Sequence, residues 1–303
     1  MTAITSSFFQ VRATASKLTK YPALLAGLII LIAAALICFV VPLFITESST
    51  AMDMRNRFAP PLSGGSLLGT DEYGRSVLAR VLEGGRTSLL VGMAVATLAT
   101  ISGIVIGLLS AYYPLLDQIL MRIADGLLAI PGMLLAVGLM AALGPHAVNV
   151  VIAMTIVSTP VMARLVRSRA LAVKEEAFID ARRVQRASDF RILFRHIAPN
   201  CVSVVAVHAC FIFADAIITE AALSFLGAGV PPPAPSWGNM LYDGKAAIFN
   251  GWWIAGFPAL IVAITTIALT MVGDGLRDMF DPKGQRPRGN LWGLLLGRRG
   301  TKW

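Results

Sequence analysis

The sequence predicts an all-α integral membrane fold with six transmembrane helices, and three observations lead there. Of its 303 residues 56% are apolar and only 14% charged, against about 25% charged in an ordinary soluble domain. The apolar residues are gathered into uncharged runs over 22–45, 87–116, 126–163 and 246–273, with a fifth region, 197–226, broken by Asp215 and Glu220. A helix needs about 20 apolar residues to cross the bilayer core. The run over 126–163 is nearly twice that length and holds Gly144-Pro145-His146 near its middle, so it reads as two spans joined by a turn. Charge supplies the third observation. With the N-terminus inside, 20 of the 26 Lys and Arg fall in segments 1–21, around Arg122, 163–196 and after Gly275. That is the inside bias of a multi-pass protein, with both termini cytoplasmic. A soluble helical domain does not segregate its charge this way, and the net charge of +9 needs no nucleic-acid partner.

The elements follow in order. Segment 1–21 is polar and basic, with Arg12, Lys17 and Lys20 at headgroup depth. The first span, 22–45, is too long for a cleavable leader, whose apolar region is roughly 7–15 residues, and no small-x-small site follows it. An external segment, 46–85, is rich in turn residues ("APPLSGGS"). Within it "LGTDEYGRSVLARVLEGGRTSLLVG" reads as a helix start capped by Thr70, with Asp71 and Glu72 at the positive end of the dipole and Leu78 and Val81 toward the membrane surface.

A five-helix core occupies 86–275. Gly103 and Gly107 form a small-xxx-small face for close helix approach, and Asp117, Arg122 and Asp125 are expected to pair locally. The outer loop "GAGVPPPAPSWGNMLYDGK" is stiffened by proline; Trp237, Tyr242, Trp252 and Trp253 suit the outer interface. Cys38, Cys201 and Cys210 fall in or beside spans, with neither a disulfide nor a metal spacing. A tail, 276–303, ends the chain, and its "NLWGLLLGRRGTKW" suits either the inner leaflet or a disordered end.

Between the fourth and fifth spans the chain turns abruptly charged, with nine Lys and Arg over 163–196. Ala170, Val173, Ala177, Ala181 and Val184 recur at helical spacing. Ser188 then reads as an N-cap with Asp189 in the first turn. A second short helix carries Phe190, Leu193, Phe194 and Ile197 on one side, and Pro199 marks where it gives way to the next span. A loop that only enforces topology needs charge but no apolar stripe. A cytoplasmic helix–turn–helix of this kind is a docking surface for another protein.

The same stretch, "IDARRVQRASDFRILFRHIAPN", resembles the signature loop of the inner-membrane permeases of ABC importers in the dipeptide/oligopeptide/nickel group, which reads approximately E-A-A-x-x-x-G, a spacer, then I-x-L-P. Asp180 lies at the Glu, Ala181 and Arg182 at the alanines, and Ile197-Ala198-Pro199 at the closing motif. "LGTDEYGRSVLARVLEGGRTSLL", "EAALSFLGAGVPPPAPSWGNML" and "GDGLRDMFDP" resemble further segments of the group in the same order. The resemblance implies a type I importer permease fold and a coupling loop, 167–196, that seats in a cleft of an ATP-binding subunit. Its implied contact residues begin with Glu175, Glu176, Phe178, Asp180 and Ala181. They continue through Arg182, Arg183, Arg186, Ser188 and Asp189. Implied partners are a second homologous permease, two ATP-binding subunits carrying ATP and Mg, and an extracytoplasmic solute-binding protein docking near Asp71, Arg75, Pro232 and Trp237. The chain departs from the group at Arg186, which stands where the turn glycine belongs, and at Arg182, which replaces a small alanine. Arg186 is expected to make the turn left-handed in the glycine's place.

Three roles compete for Asp215 and Glu220, with His208 a turn or two earlier: a translocation-path lining, a proton relay of a secondary transporter, or a helix–helix hydrogen bond. No catalytic set stands out. Gly244-Lys245 lacks the glycine and hydroxyl residue of a phosphate-binding loop, so the chain is not expected to be an enzyme, nor to bind a cofactor or metal itself. The resembled group handles peptides, glutathione-like peptides, opines and nickel, with peptide the first expectation.

Overall fold

The computed structural model describes residues 20–44, 47–63 and 66–280. Most of the predicted basic segment 1–21, and the tail 276–303 beyond Phe280, lie outside the described residues. Among those described, all extended elements are helical; the only β pairs are isolated bridges, Ser63 with Ser66 and Thr70 with Ser76.

Helix α1 (Pro22–Val40) starts on a proline that has no N–H to leave unsatisfied. It lies along α9 (Trp252–Phe280), where Gly27 faces the Ala268 carbonyl and Gly275 faces Leu24. Its other face leaves Ile29, Ile32 and Leu36 exposed. The longest single run of α-helix is α2 (Val77–Tyr112), and it begins seven residues later than the expected Thr70 cap. Ser76 is the cap, its hydroxyl accepting from the Ala79 N–H. Thr70 instead ties two loop strands, donating to the Asn56 carbonyl and accepting from the Ala59 N–H. Val81, expected at the membrane surface, is 1% exposed.

The predicted third span is broken. Helices α3 (Pro114–Leu128) and α4 (Gly132–Leu143) meet at 92°, because Pro131 has no N–H to continue the ladder and holds the preceding residue out of the α region. Among the described residues five helices are long and apolar enough to cross a membrane, and a sixth crossing is made if this bent pair is one span. Helix α5 (Ala147–Lys174) begins just past the predicted Gly144-Pro145-His146 turn. It packs along α2, where Gly103 sits against Met162 and Gly107 against the Ala163 carbonyl.

The hairpin follows as α6 (Ala177–Val184) and the foot of α7 (Asp189–Phe225). Pro199 does not end the foot. A π-helical turn over Ile192–Ile197 carries the chain straight into the membrane portion, with Ala198 N–H bonding back to Leu193. The wider turn shifts the carbonyl that a proline ring would strike in a regular helix. Beyond α7, the short helix α8 (Trp237–Ala246) closes the end of the molecule opposite the hairpin. Ser236 and Asn239 cap it reciprocally.

Candidate functional site

At the hairpin, apolar side chains both anchor and protrude. Ile179, Ile192, Leu193 and Ile197 are each at most 1% exposed and continue the core formed by Ala170 and Val173. The break at Glu175 rotates α6, so Ala177, Ala181 and Val184 do not continue that stripe. They are exposed, and Ile179 points inward instead. Phe178, Val184 and Phe190 are left exposed, Val184 by 84% and Phe190 by 71%. Phe194 stacks on Phe190 with ring centroids 4.6 Å apart. Around them Arg183 reaches Asp180 at 2.9 Å and Arg182 reaches Gln185. Glu175 and Glu176 stand exposed at the break, Glu176 as the N-cap residue of α6.

The turn is a Schellman motif. Ala187 N–H bonds to the Arg182 carbonyl at 3.1 Å and Arg186 N–H to the Arg183 carbonyl at 2.9 Å. Its left-handed residue is Arg186, with φ 56°. The chain builds the same motif at the other end of α7 with a glycine, Gly227 at φ 80°. Ser188 occupies the N-cap position, but its side chain makes no capping bond.

Contacts far apart in sequence hold the hairpin in place. Tyr112, the last residue of α2, donates its hydroxyl to Asp189 at 2.6 Å. Lys174 donates to the Ala111 carbonyl at 3.0 Å, satisfying the end of α2. Asp117 and Asp125, expected to pair locally, are instead bonded across to α5. Asp117 takes a two-pronged pair from Arg167 at 2.5 and 2.6 Å, and Asp125 pairs with Arg164. Nothing in local spacing signals these links, because the partners are 39 to 77 residues apart.

The opposite end is bound by charge. Asp71 accepts the Tyr73 and Arg75 N–H groups at 2.9 Å and the Arg75 side chain at 2.5 Å. Arg80 reaches Asp243 at 2.9 Å, so two arginines and two aspartates form a neutral cluster joining loop, α2 and α8. Burial pushes the Asp243 carboxyl above its ordinary value, and Arg80 and Arg75 pull it back. Trp237 is fully buried, its indole N–H donating to the Val81 carbonyl at 3.0 Å. Three of the four expected docking residues, Asp71, Arg75 and Trp237, are therefore buried parts of the cap. Pro232 is exposed. Gly74 is obligatory here, since a Cβ would lie 1.8 Å from the Asp53 carbonyl oxygen.

The ionisable residues of α7 separate. Glu220 is 0% exposed and accepts the Ser88 and Ser224 hydroxyls, each at 2.9 Å. Ser88 also accepts the Trp237 N–H, so Glu220 is a knot of α2, α7 and α8 and not a path lining. Asp215 is exposed and borders a recess of about 260 Å³ between α4, α5 and α7. His208 lies two turns away on the same face, at a second cavity with Phe211 and Arg277. Among the described residues no group of three or more His, Cys, Asp or Glu is placed to hold a metal.

A family model described as "Binding-protein-dependent transport system inner membrane component" matches residues 103–285. The chain is 40% identical to a dipeptide transport system permease protein of Alkalihalophilus pseudofirmus, over 88% of each chain. It is 39% identical to a glutathione transport system permease protein of Pectobacterium atrosepticum, again over 88% of each. A solved chain of the MetNI methionine ABC transporter, in an inward facing conformation, superposes with a TM-score of 0.57 at 16% identity. The match covers 67% of this chain and 97% of that one, a likeness of fold.

Proposed function

Because the chain belongs to the family of binding-protein-dependent transport system inner membrane components, we propose that it is a multi-pass inner-membrane permease subunit of an ATP-driven peptide importer, worked through its charged hairpin. It pairs with a second permease and two ATP-binding subunits, and receives its cargo from an external binding protein at the capped end. Both termini and the hairpin face the cytoplasm. Peptide is the cargo class, which the named dipeptide and glutathione relatives support.

The observation that carries this reading is the construction of the hairpin. Buried Ile179, Ile192 and Leu193 root it in the core while Phe178, Val184 and Phe190 stand out among arginines. An apolar cluster with a charged rim is what a protein cleft takes up. Root and protrusion move as one body, so displacement of the hairpin by closing ATP-binding subunits reaches α7 through the π turn and the Tyr112 and Lys174 contacts reach α2. Hydrolysis takes place on the partner subunits, and this chain supplies the path. His208 and Asp215 line that path on the exposed face of α7. Docking of the binding protein uses Pro232 and the exposed loop around it, since Asp71, Arg75 and Trp237 are committed to the cap.

Purification of the tagged chain from native membranes, followed by mass spectrometry of what accompanies it, tests the proposal. Two ATP-binding subunits and a second permease are expected. A chain that emerges alone from membranes active in uptake overturns it and leaves a proton-coupled carrier acting through Asp215.

A further inference from the structure

We infer that the recess at Asp215 is a subsite for the α-ammonium group of the peptide in transit; this rests on the importer reading above and names what its path recognises. Asp215 lies deep within the membrane portion of α7 and is exposed. A carboxylate at that depth does not face lipid; it faces water or a cation. Among the described residues it has no cation within ion-pair distance. The ion pairs among the described residues lie at the cap, at the α3–α5 contact or on the hairpin. The missing cation is therefore one that arrives and leaves.

The recess fits an ammonium group chemically. Asp215, Ser158 and Thr219 all line it, three oxygen acceptors for the three N–H donors of an ammonium. Gly132 and Met133, the first residues of α4, also border it. Their end of the helix dipole favours negative charge at the recess. Met133 and Met154 form much of the remaining wall. Their unbranched, polarisable side chains adapt to differing neighbours, as a path must when peptide side chains vary and only the main-chain ends are constant. At about 260 Å³ the recess has room for the ammonium end of a peptide. Glu220 cannot serve, being 0% exposed and held by two serine hydroxyls.

The test uses the complete importer in proteoliposomes with its binding protein, fed radiolabelled dialanine and a mixture of other free-amine di- and tripeptides. Asp215→Asn is expected to cut uptake at least tenfold, with binding-protein-stimulated ATP hydrolysis within twofold of the parent and Asp215→Glu restoring most of the uptake. Uptake by Asp215→Asn within twofold of the parent overturns the inference, as does a parent that transports no free-amine peptide. It is overturned equally if the variant loses the second permease, which would make Asp215 an assembly contact, or if uptake is lost only under an imposed proton gradient. Asp215→Cys, in a chain with Cys38, Cys201 and Cys210 changed to alanine, examines the path separately. Reaction with a membrane-impermeant thiol reagent is expected. An unreactive Cys variant removes Asp215 from the path and the ammonium subsite with it. A reactive one beside normal Asp215→Asn uptake removes only the subsite, and failure of the importer reading itself appears as absent ATP-binding subunits.

Discussion

Substituting Gly107 with alanine measures how closely α2 and α5 approach. A Cβ there would stand 2.6 Å from the Ala163 carbonyl oxygen, 2.7 Å from Val166 Cβ and 3.0 Å from the Arg167 nitrogen, where ordinary contact begins at 3.4 Å. Two of the three obstacles are backbone, so no side-chain rotation relieves them and the helices must separate. Overpacking of this kind costs about 3 kcal/mol at its upper end. Alanine recovers about 1 kcal/mol of helix propensity, leaving a net loss of about 2 kcal/mol. Gly126→Ala is the control, because nothing lies within 4 Å of its added methyl; it keeps the propensity gain of about 1 kcal/mol. The two variants should therefore differ by about 3 kcal/mol in opposite directions about the parent. Heating the purified importer in nanodiscs and following the surviving monodisperse fraction reads the difference as midpoints several degrees apart. Equal midpoints for the two variants would refute the reasoning, since they would mean that the backbones are not in contact at Gly107.

Three further outcomes are expected. Arg186→Gly relieves a left-handed side chain worth about 1–2 kcal/mol, so the hairpin amides should exchange more slowly while the ATP-binding subunit remains bound; loss of the complex would mean that the Arg186 side chain, not the turn, makes the contact. Tyr112→Phe removes the bond to Asp189 and should lower peptide uptake per ATP hydrolysed while leaving the assembly intact; an unchanged ratio would remove Tyr112 from force transmission. Ser88→Ala strips Glu220 of one donor and the Trp237 N–H of its acceptor, at a cost of about 1–3 kcal/mol for buried polar groups left without a partner. Its thermal midpoint should fall below that of Thr87→Ala one residue away, and parity between the two would show the knot to be idle.

The helical, membrane-spanning class was legible because the lipid demands long uncharged runs, and those can be counted along the chain. The turn at Gly144-Pro145-His146 and the small-residue face at Gly103 and Gly107 were legible for the same local reason. Other expectations failed where a residue's role depended on a distant partner. Trp237 reads as an interfacial ring, but Ser88 and the Val81 carbonyl take it inside. Asp117 and Asp125 read as local partners of Arg122, but α5 brings Arg167 and Arg164 to them. The continued stripe of Ala177, Ala181 and Val184 failed because a two-residue break at Glu175 and Glu176 rotates everything after it.

The sequence alone determined that the chain spans a membrane, that its charged interlude is a helical hairpin, and that Arg186 occupies the turn. These are properties of hydropathy, periodicity and backbone preference, which act between near neighbours. Only the tertiary structure decided that Glu220 is a structural knot while Asp215 is open. Both are carboxylates on one helix, five residues apart, and nothing local distinguishes them. The cost of burying a carboxyl group is set by what other helices bring to it: α2 brings Ser88 to Glu220, and the bend at Pro131 leaves a recess before Asp215.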